Sequence, residues 1–105
     1  MLVVDSQAMI GLLRHPLRRE ILKYLIEKDE PLSPDQVSRN HGERLNSVSY
    51  HVRVLRGAGA LILFDEHPVR GSMQHFYVHD EAVTGVPWVR EALGLPELPE
   101  SGGEA

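Results

Sequence analysis

Apolar residues recur at helical spacing through the first 58 or so positions, and beyond residue 60 the period shortens to that of a strand. Leu17, Ile21, Leu22, Leu25 and Ile26 fall at i, i+4, i+5, i+8 and i+9, the wide apolar face of a helix set in the middle of a small core. Pro16 starts this helix and the run Asp29, Glu30, Pro31 closes it. Ahead of it, Ala8, Met9, Leu12 and Leu13 predict a shorter amphipathic helix with Asp5 or Ser6 as its N-cap.

Residues 33–61 carry the clearest local signals. Ser33 and Gln36 have the spacing of a reciprocal capping box, and Pro34 stands at the first helical position, where its missing N–H costs nothing. Val37 is the apolar anchor of this helix, which the sequence ends near Gly42. A short turn leads to a second helix over about residues 45–58, marked at its end by Gly59, where a left-handed residue is needed. Two helices joined so briefly must cross steeply, as in a helix-turn-helix unit. On the second helix Val48, Val52 and Leu55 form an apolar stripe, whereas Asn46, Ser49, Tyr50 and Arg53 repeat at i, i+3, i+4 and i+7. That second stripe lacks the Glu and Lys of an ordinary solvated face. It is built of hydrogen-bonding groups and a cation, suited to touching something.

After Gly59, the apolar run 61–64 and the alternating run 73–79 predict two strands joined by a loop of about six residues containing Pro68 and Gly71. In the second strand Phe76 and Val78 share one face and His75, Tyr77 and His79 the other. A hairpin over about residues 60–79, directly after a groove-entering helix, is a wing. Arg70 lies near its tip, where it reaches a phosphate or a minor groove, or is simply a solvated turn cation. Farther on, Val86, Trp88, Val89, Ala92 and Leu93 predict a short C-terminal helix from about Pro87, stopped by Gly94 and Pro96. The expected fold is therefore mainly α with a small β-hairpin, a winged helix-turn-helix of order α-α-α-α-β-β with a short C-terminal helix. We expect one such domain over residues 1–94 and an acidic, disordered tail over 95–105.

The run VSYHVRVLRGAGAL, with the capped helix before it and the apolar strand after it, resembles the helix-turn-helix of the ArsR-type winged-helix transcriptional regulators. Upstream, HPLRREILKYLIEKDEPLS is similar to that family's opening helix: a Pro-x-Arg-Arg start, an Ile-Leu-x-x-Leu core stripe and a Pro-Leu-Ser lead into the next helix. The resemblance covers roughly residues 12–78. It implies a transcriptional regulator, more often a repressor, that binds double-stranded DNA as a homodimer and answers to an inducer that the sequence does not identify. Asn46, Ser47, Ser49 and Tyr50 are then expected at base edges or the DNA backbone. Arg53 and Arg56, one and two turns into the helix, are expected at phosphates. His51 follows the family pattern but borders the apolar face, so both DNA contact and core packing stay open for it. Met9 and Leu13 in the first helix, with Trp88, are the expected dimer interface, since that apolar surface exceeds the needs of a three-helix core.

Composition narrows these readings. The 105 residues suit one domain, and no apolar run reaches membrane-spanning length. The start MLVVDS lacks the basic region of a secretory signal, and the absence of cysteine is compatible with the cytoplasm, where we expect the protein to act. The net charge of −4 has the wrong sign for a polyanion binder. Its distribution changes the picture: residues 91–105 hold four glutamates and no Lys or Arg, leaving 11 basic and 11 acidic residues before them. Between Arg39 and Arg56 stand four arginines and one acid, Glu43. The local field decides phosphate contact, so moderate and strongly salt-dependent binding is expected. A winged-helix protein-interaction module without DNA binding is the competing reading, supported mainly by the negative total.

No catalytic constellation is present, since the chain lacks cysteine, a phosphate-binding glycine loop and a nucleophile elbow. No metal or cofactor is expected either. Without thiolates a metal would need the six histidines, and those on one strand face, four residues apart, lie about 13 Å from each other, far beyond a shared ion.

Overall fold

A computed structural model describes residues 6–98. Asp5, one of the two expected N-caps, and tail residues 99–105 lie outside the described residues. The described elements run α1 (Ser6–Leu12), α2 (Pro16–Lys28), α3 (Pro34–His41), α4 (Leu45–Gly57), β1 (Leu61–Val69), β2 (Ser72–His79), α5 (Glu81–Thr84) and α6 (Pro87–Ala92). Among the described residues this is a mainly helical fold of six helices and one antiparallel hairpin, a winged helix-turn-helix.

The punctuation read from the sequence is where the helices turn. Ser33 accepts the Gln36 amide at 3.2 Å while the Gln36 side chain accepts the Ser33 amide at 2.8 Å, closing the capping box. Asp29, at φ 52°, ends α2 in a left-handed cap. At the end of α4, Gly59 has φ 85°, and the amides of Gly59 and Ala60 reach back to the carbonyls of Arg56 and Leu55. Those two bonds are a Schellman cap, which fixes the direction in which the chain leaves α4 for β1.

The core lies between α2 and α4. Ile21, Leu22 and Leu25 cluster with Val37, Val48, Val52 and Leu55, and Leu61, Tyr77, Val83, Val89 and Leu93 complete the same buried cluster. Met9 and Leu13 belong to this cluster, only 2% and 5% exposed. They were expected at a dimer interface, but the i, i+4 stripe of α1 is spent on closing the monomer's own core. The large apolar side chain of α1 left at the surface is Ile10, and Trp88 is half-buried beside it.

The hairpin departs from the expected six-residue loop. Its strands stay paired to Val69 and Ser72, leaving only Arg70 and Gly71 as the turn. Both have positive φ, 47° and 84°, the primed turn whose twist matches that of the strands it joins. Pro68 is tolerated inside β1 because each strand of a two-stranded sheet has a free edge. The register slips between Leu63 and Asp65, leaving Phe64 as the extra residue of a bulge, 61% exposed. The short helix α5 was not foreseen; the Asp80 side chain caps it by accepting the Ala82 amide. At the other end, the body continues past residue 94: Leu95 packs on the core and Arg90 Nε donates to the Pro96 carbonyl at 2.6 Å.

Candidate nucleic-acid interface

The angle between α3 and α4 is set by one serine. Ser38, nearly buried, donates its hydroxyl to the Glu43 carbonyl, and the Glu43 amide donates to the Ser38 carbonyl at 3.1 Å. With Gly42 at φ 65°, the turn is thus closed from both sides, and no side chain caps the first turn of α4.

Val48, Val52 and Leu55 are buried, so α4 is held in a single rotational phase. That phase turns Asn46, Tyr50, Arg53 and Arg56 outward, with Ser47 and Ser49 half-exposed on the shoulders. Tyr50 is 52% exposed. No carboxylate lies anywhere in α4. Asn46, Tyr50 and Arg53 share the outer face, Ser47 and Arg56 lie on its opposite flanks, and Arg70 stands apart at the hairpin turn; His51 alone of the α4 residues expected at the site is buried.

His51 is 4% exposed and points into the protein. Its Nδ1 accepts the Nε–H of Arg18 at 3.2 Å, and its ring lies 4.3 Å from that of His15. Burial first, then the charges of His15 and Arg18, push the His51 pKa below the ordinary imidazole value, so the neutral ring that can accept from Arg18 is the favoured form. Of the two readings open for this residue, packing is the one its position supports: at 100° per residue, its phase on the helix falls on the edge of the apolar stripe.

The hairpin is fastened to the helix-turn-helix at two places. Leu32 and Tyr77 exchange backbone hydrogen bonds of 3.1 and 2.9 Å, which draws the segment before α3 against β2. Gln74 Nε2 donates to Ser33 Oγ at 3.0 Å, the same oxygen that caps α3. Between hairpin and helices remains an open groove of about 720 Å³, with Gln36 and Arg39 of α3, Leu45 and Ser49 of α4, and Arg70 at the turn among its lining residues. Arg39 is paired with Asp35 at 2.8 Å, so its charge is partly spent within α3. The shaft of the hairpin carries two acids matched by histidines, Asp65 with His67 and Glu66 with His75, both at 3.1 Å. Among the described residues no ion pair involves Arg70, at the tip.

Residues 13–63, from the end of α1 to the start of β1, match the family model of a helix-turn-helix domain, a family that includes ArsR-like regulators. The chain carries a helix-turn-helix domain. No curated protein matches it. The match covers the two crossing helices and the preceding α2, while the hairpin that completes the winged form lies mostly beyond it. Among the described residues no helix is long and apolar enough to cross a membrane, and no group of three or more His, Asp or Glu is placed to hold a metal ion.

Proposed function

We propose that this protein is an ArsR-like transcriptional regulator, a repressor that binds double-stranded DNA sequence-specifically as a homodimer, with α4 in the major groove and the hairpin tip on the backbone or minor groove. The observation that carries this reading is the outer face of α4. It is polar, free of carboxylates, fixed in phase by a buried opposite stripe, and continuous with the groove that ends at Arg70. Asn46, Ser47, Ser49 and Tyr50 are the groups for base edges and nearby phosphates, Arg53, Arg56 and Arg70 those for the backbone. On this reading the chain binds rather than catalyses, and its place is the cytoplasm, where the DNA is.

Dimerisation falls to the side of α1 and α6 that the monomer leaves open. A groove of about 420 Å³ there is lined by Ile10, Arg14, Arg19, Trp88 and Ala92, with Leu13 at its floor. To read successive major grooves, such a dimer has to hold its two copies of α4 about 34 Å apart.

Replacing Arg53 by Ala tests the reading. Affinity falls for specific and non-specific duplexes alike and the slope of log affinity against log salt flattens by about one, with little change in stability because the side chain is exposed. Normal DNA binding by the variant, or its unfolding, would show that α4 is misassigned. The net charge of −4 favours the other reading, a protein-interaction module. Retention of the wild-type chain on duplex DNA at low salt, lost steeply as salt rises, decides against that module.

A further inference from the structure

Among the described residues Arg18 has no counter-ion. It stands in the first turn of α2, half-buried, with Nε donating to His51 Nδ1 and Nη1 donating to the Leu12 carbonyl, each at 3.2 Å. Both acceptors are neutral. The ion pairs among the described residues join Arg39 to Asp35 and His67, His75 and His79 to acids, and none involves Arg18. Its guanidinium is therefore locked in orientation with its charge uncompensated, and Nη2 has no partner among the described residues. Beside it, the exposed ring of His15 packs at a tilt against that of His51, and as the N-cap of α2 His15 makes no side-chain cap bond.

The location matters as much as the charge. Leu45 and Ser49 line the groove that faces the hairpin, whereas His51 meets His15 and Arg18. Positions 49 and 51 are about 200° apart around a helix, so Arg18 lies on the flank of α4 opposite the hairpin. The exposed ring of Tyr50 lies next to this flank, 5.2 Å from that of His51. Tyr50 and Arg18 thus both neighbour His51, on the side of α4 away from the hairpin.

We propose that Arg18, with His15 beside it, holds a backbone phosphate of duplex DNA on the side of α4 away from the hairpin. The helix is then straddled by two phosphate contacts, Arg70 on one side and Arg18 on the other. This rests on the DNA-binding reading above and adds a contact that the recognition helix does not supply. A preoriented guanidinium loses little freedom on meeting a phosphate, and a charge-assisted hydrogen bond in such a site is worth more than one from a free surface arginine.

The test uses the full chain with a selected duplex over a series of salt concentrations, comparing the wild type with R18Q, R18K, H15Q and R53A. R18Q is expected to lower affinity roughly tenfold on specific and non-specific duplex alike and to flatten the salt slope by about one. H15Q lowers affinity in the same direction by less. R18K keeps the charge but loses the Nε bond to His51, so it retains the wild-type salt slope. In ethylation interference, one flanking phosphate whose modification weakens the wild type becomes silent for R18Q. If R18K loses as much as R18Q, the role of Arg18 is to brace α4 and the proposal fails. It also fails if R18Q keeps the wild-type slope and interference pattern while R53A loses its own contact, which leaves the helix-turn-helix reading intact. A wild-type chain that binds no duplex at any salt concentration overturns both together.

Discussion

Ser33 Oγ serves two parts of the fold at once, and removing it separates their contributions. The oxygen caps α3 by accepting the Gln36 amide and fastens the hairpin by accepting from Gln74 Nε2, in a residue with no solvent exposure. Loss of an N-cap serine costs about 1 kcal/mol. Loss of the second bond costs about another 1 kcal/mol, because the Gln74 amide is half-buried and water only partly replaces its partner. Ser33→Ala should therefore destabilise by about 2 kcal/mol, and in a domain of this size that lowers Tm by about 10 °C. Gln74→Ala removes only the second bond and should cost about half as much.

Chemical denaturation of the four members of the cycle, wild type, both single variants and the double, gives the coupling directly. We expect about 1 kcal/mol, since after Ser33→Ala the glutamine has no bond left to lose. The functional readout is separate: Gln74→Ala leaves α4 intact but loosens the hairpin, so it should weaken DNA binding and reduce the contribution of Arg70. Additive costs, with no coupling between the two residues, would refute the argument that one oxygen joins the hairpin to the helices. So would a Ser33→Ala variant as stable as the wild type.

Three further outcomes follow from other parts of the molecule. The folded state disfavours protonation of His51 relative to the unfolded chain, so this residue's contribution to stability is unaffected above the ordinary imidazole pKa of about 6.5 and is lost progressively as pH falls below it, where the unfolded chain takes up the proton first. Thermal melts between pH 7.5 and 5 should show that loss, and His51→Asn, which keeps an acceptor for Arg18, should show less of it. Light scattering at micromolar concentration should report a dimer, and Ile10→Glu, which places a charge beside Trp88, should give a folded monomer with weakened operator binding; a wild-type chain that stays monomeric with and without DNA ends the dimer proposal. Zinc, nickel and cobalt titrated into a preformed protein–DNA complex should leave it intact, and release at a stoichiometric metal concentration would point to a site formed between subunits.

Features legible in the sequence are those whose physics is local. The capping box at Ser33, the Gly59 cap and the i, i+4, i+7 stripe of α4 each involve residues within two turns of one another, and each is found where its spacing puts it. The hairpin was misjudged at a point that is also local but unusual: a left-handed arginine before Gly71 makes a two-residue turn where a loop of about six residues around Pro68 and Gly71 was expected. A strand partner for each of Asp65 to Val69 was available at the correct distance from that turn, which was the missed signal. Periodicity could say that Met9 and Leu13 are buried but not against what, because a monomer core and a subunit interface ask the same thing of a helix. The Leu32–Tyr77 bridge and the Arg18–His51 bond join residues 45 and 33 positions apart, and no pattern within either segment encodes the other.

The distribution of charge on the hairpin constrains how it can meet DNA. Asp65 and Glu66 lie on the shaft of β1 with His67 and His75 as their only partners among the described ion pairs, so with neutral histidines the shaft presents two carboxylates to any polyanion that approaches from the side. Arg70, lifted clear of them by a turn of two residues, is the one cation beyond the shaft. A hairpin built this way repels phosphates along its length and attracts them at its end. The sign change favours an approach in which the tip reaches the duplex while the shaft is held off, and the Gln74 and Leu32 fastenings at the base set how far the tip extends. On the proposed reading the same logic accounts for the absence of acids from α4: a helix lying along the groove would be near phosphates over its whole length and has no shaft to hold away from them.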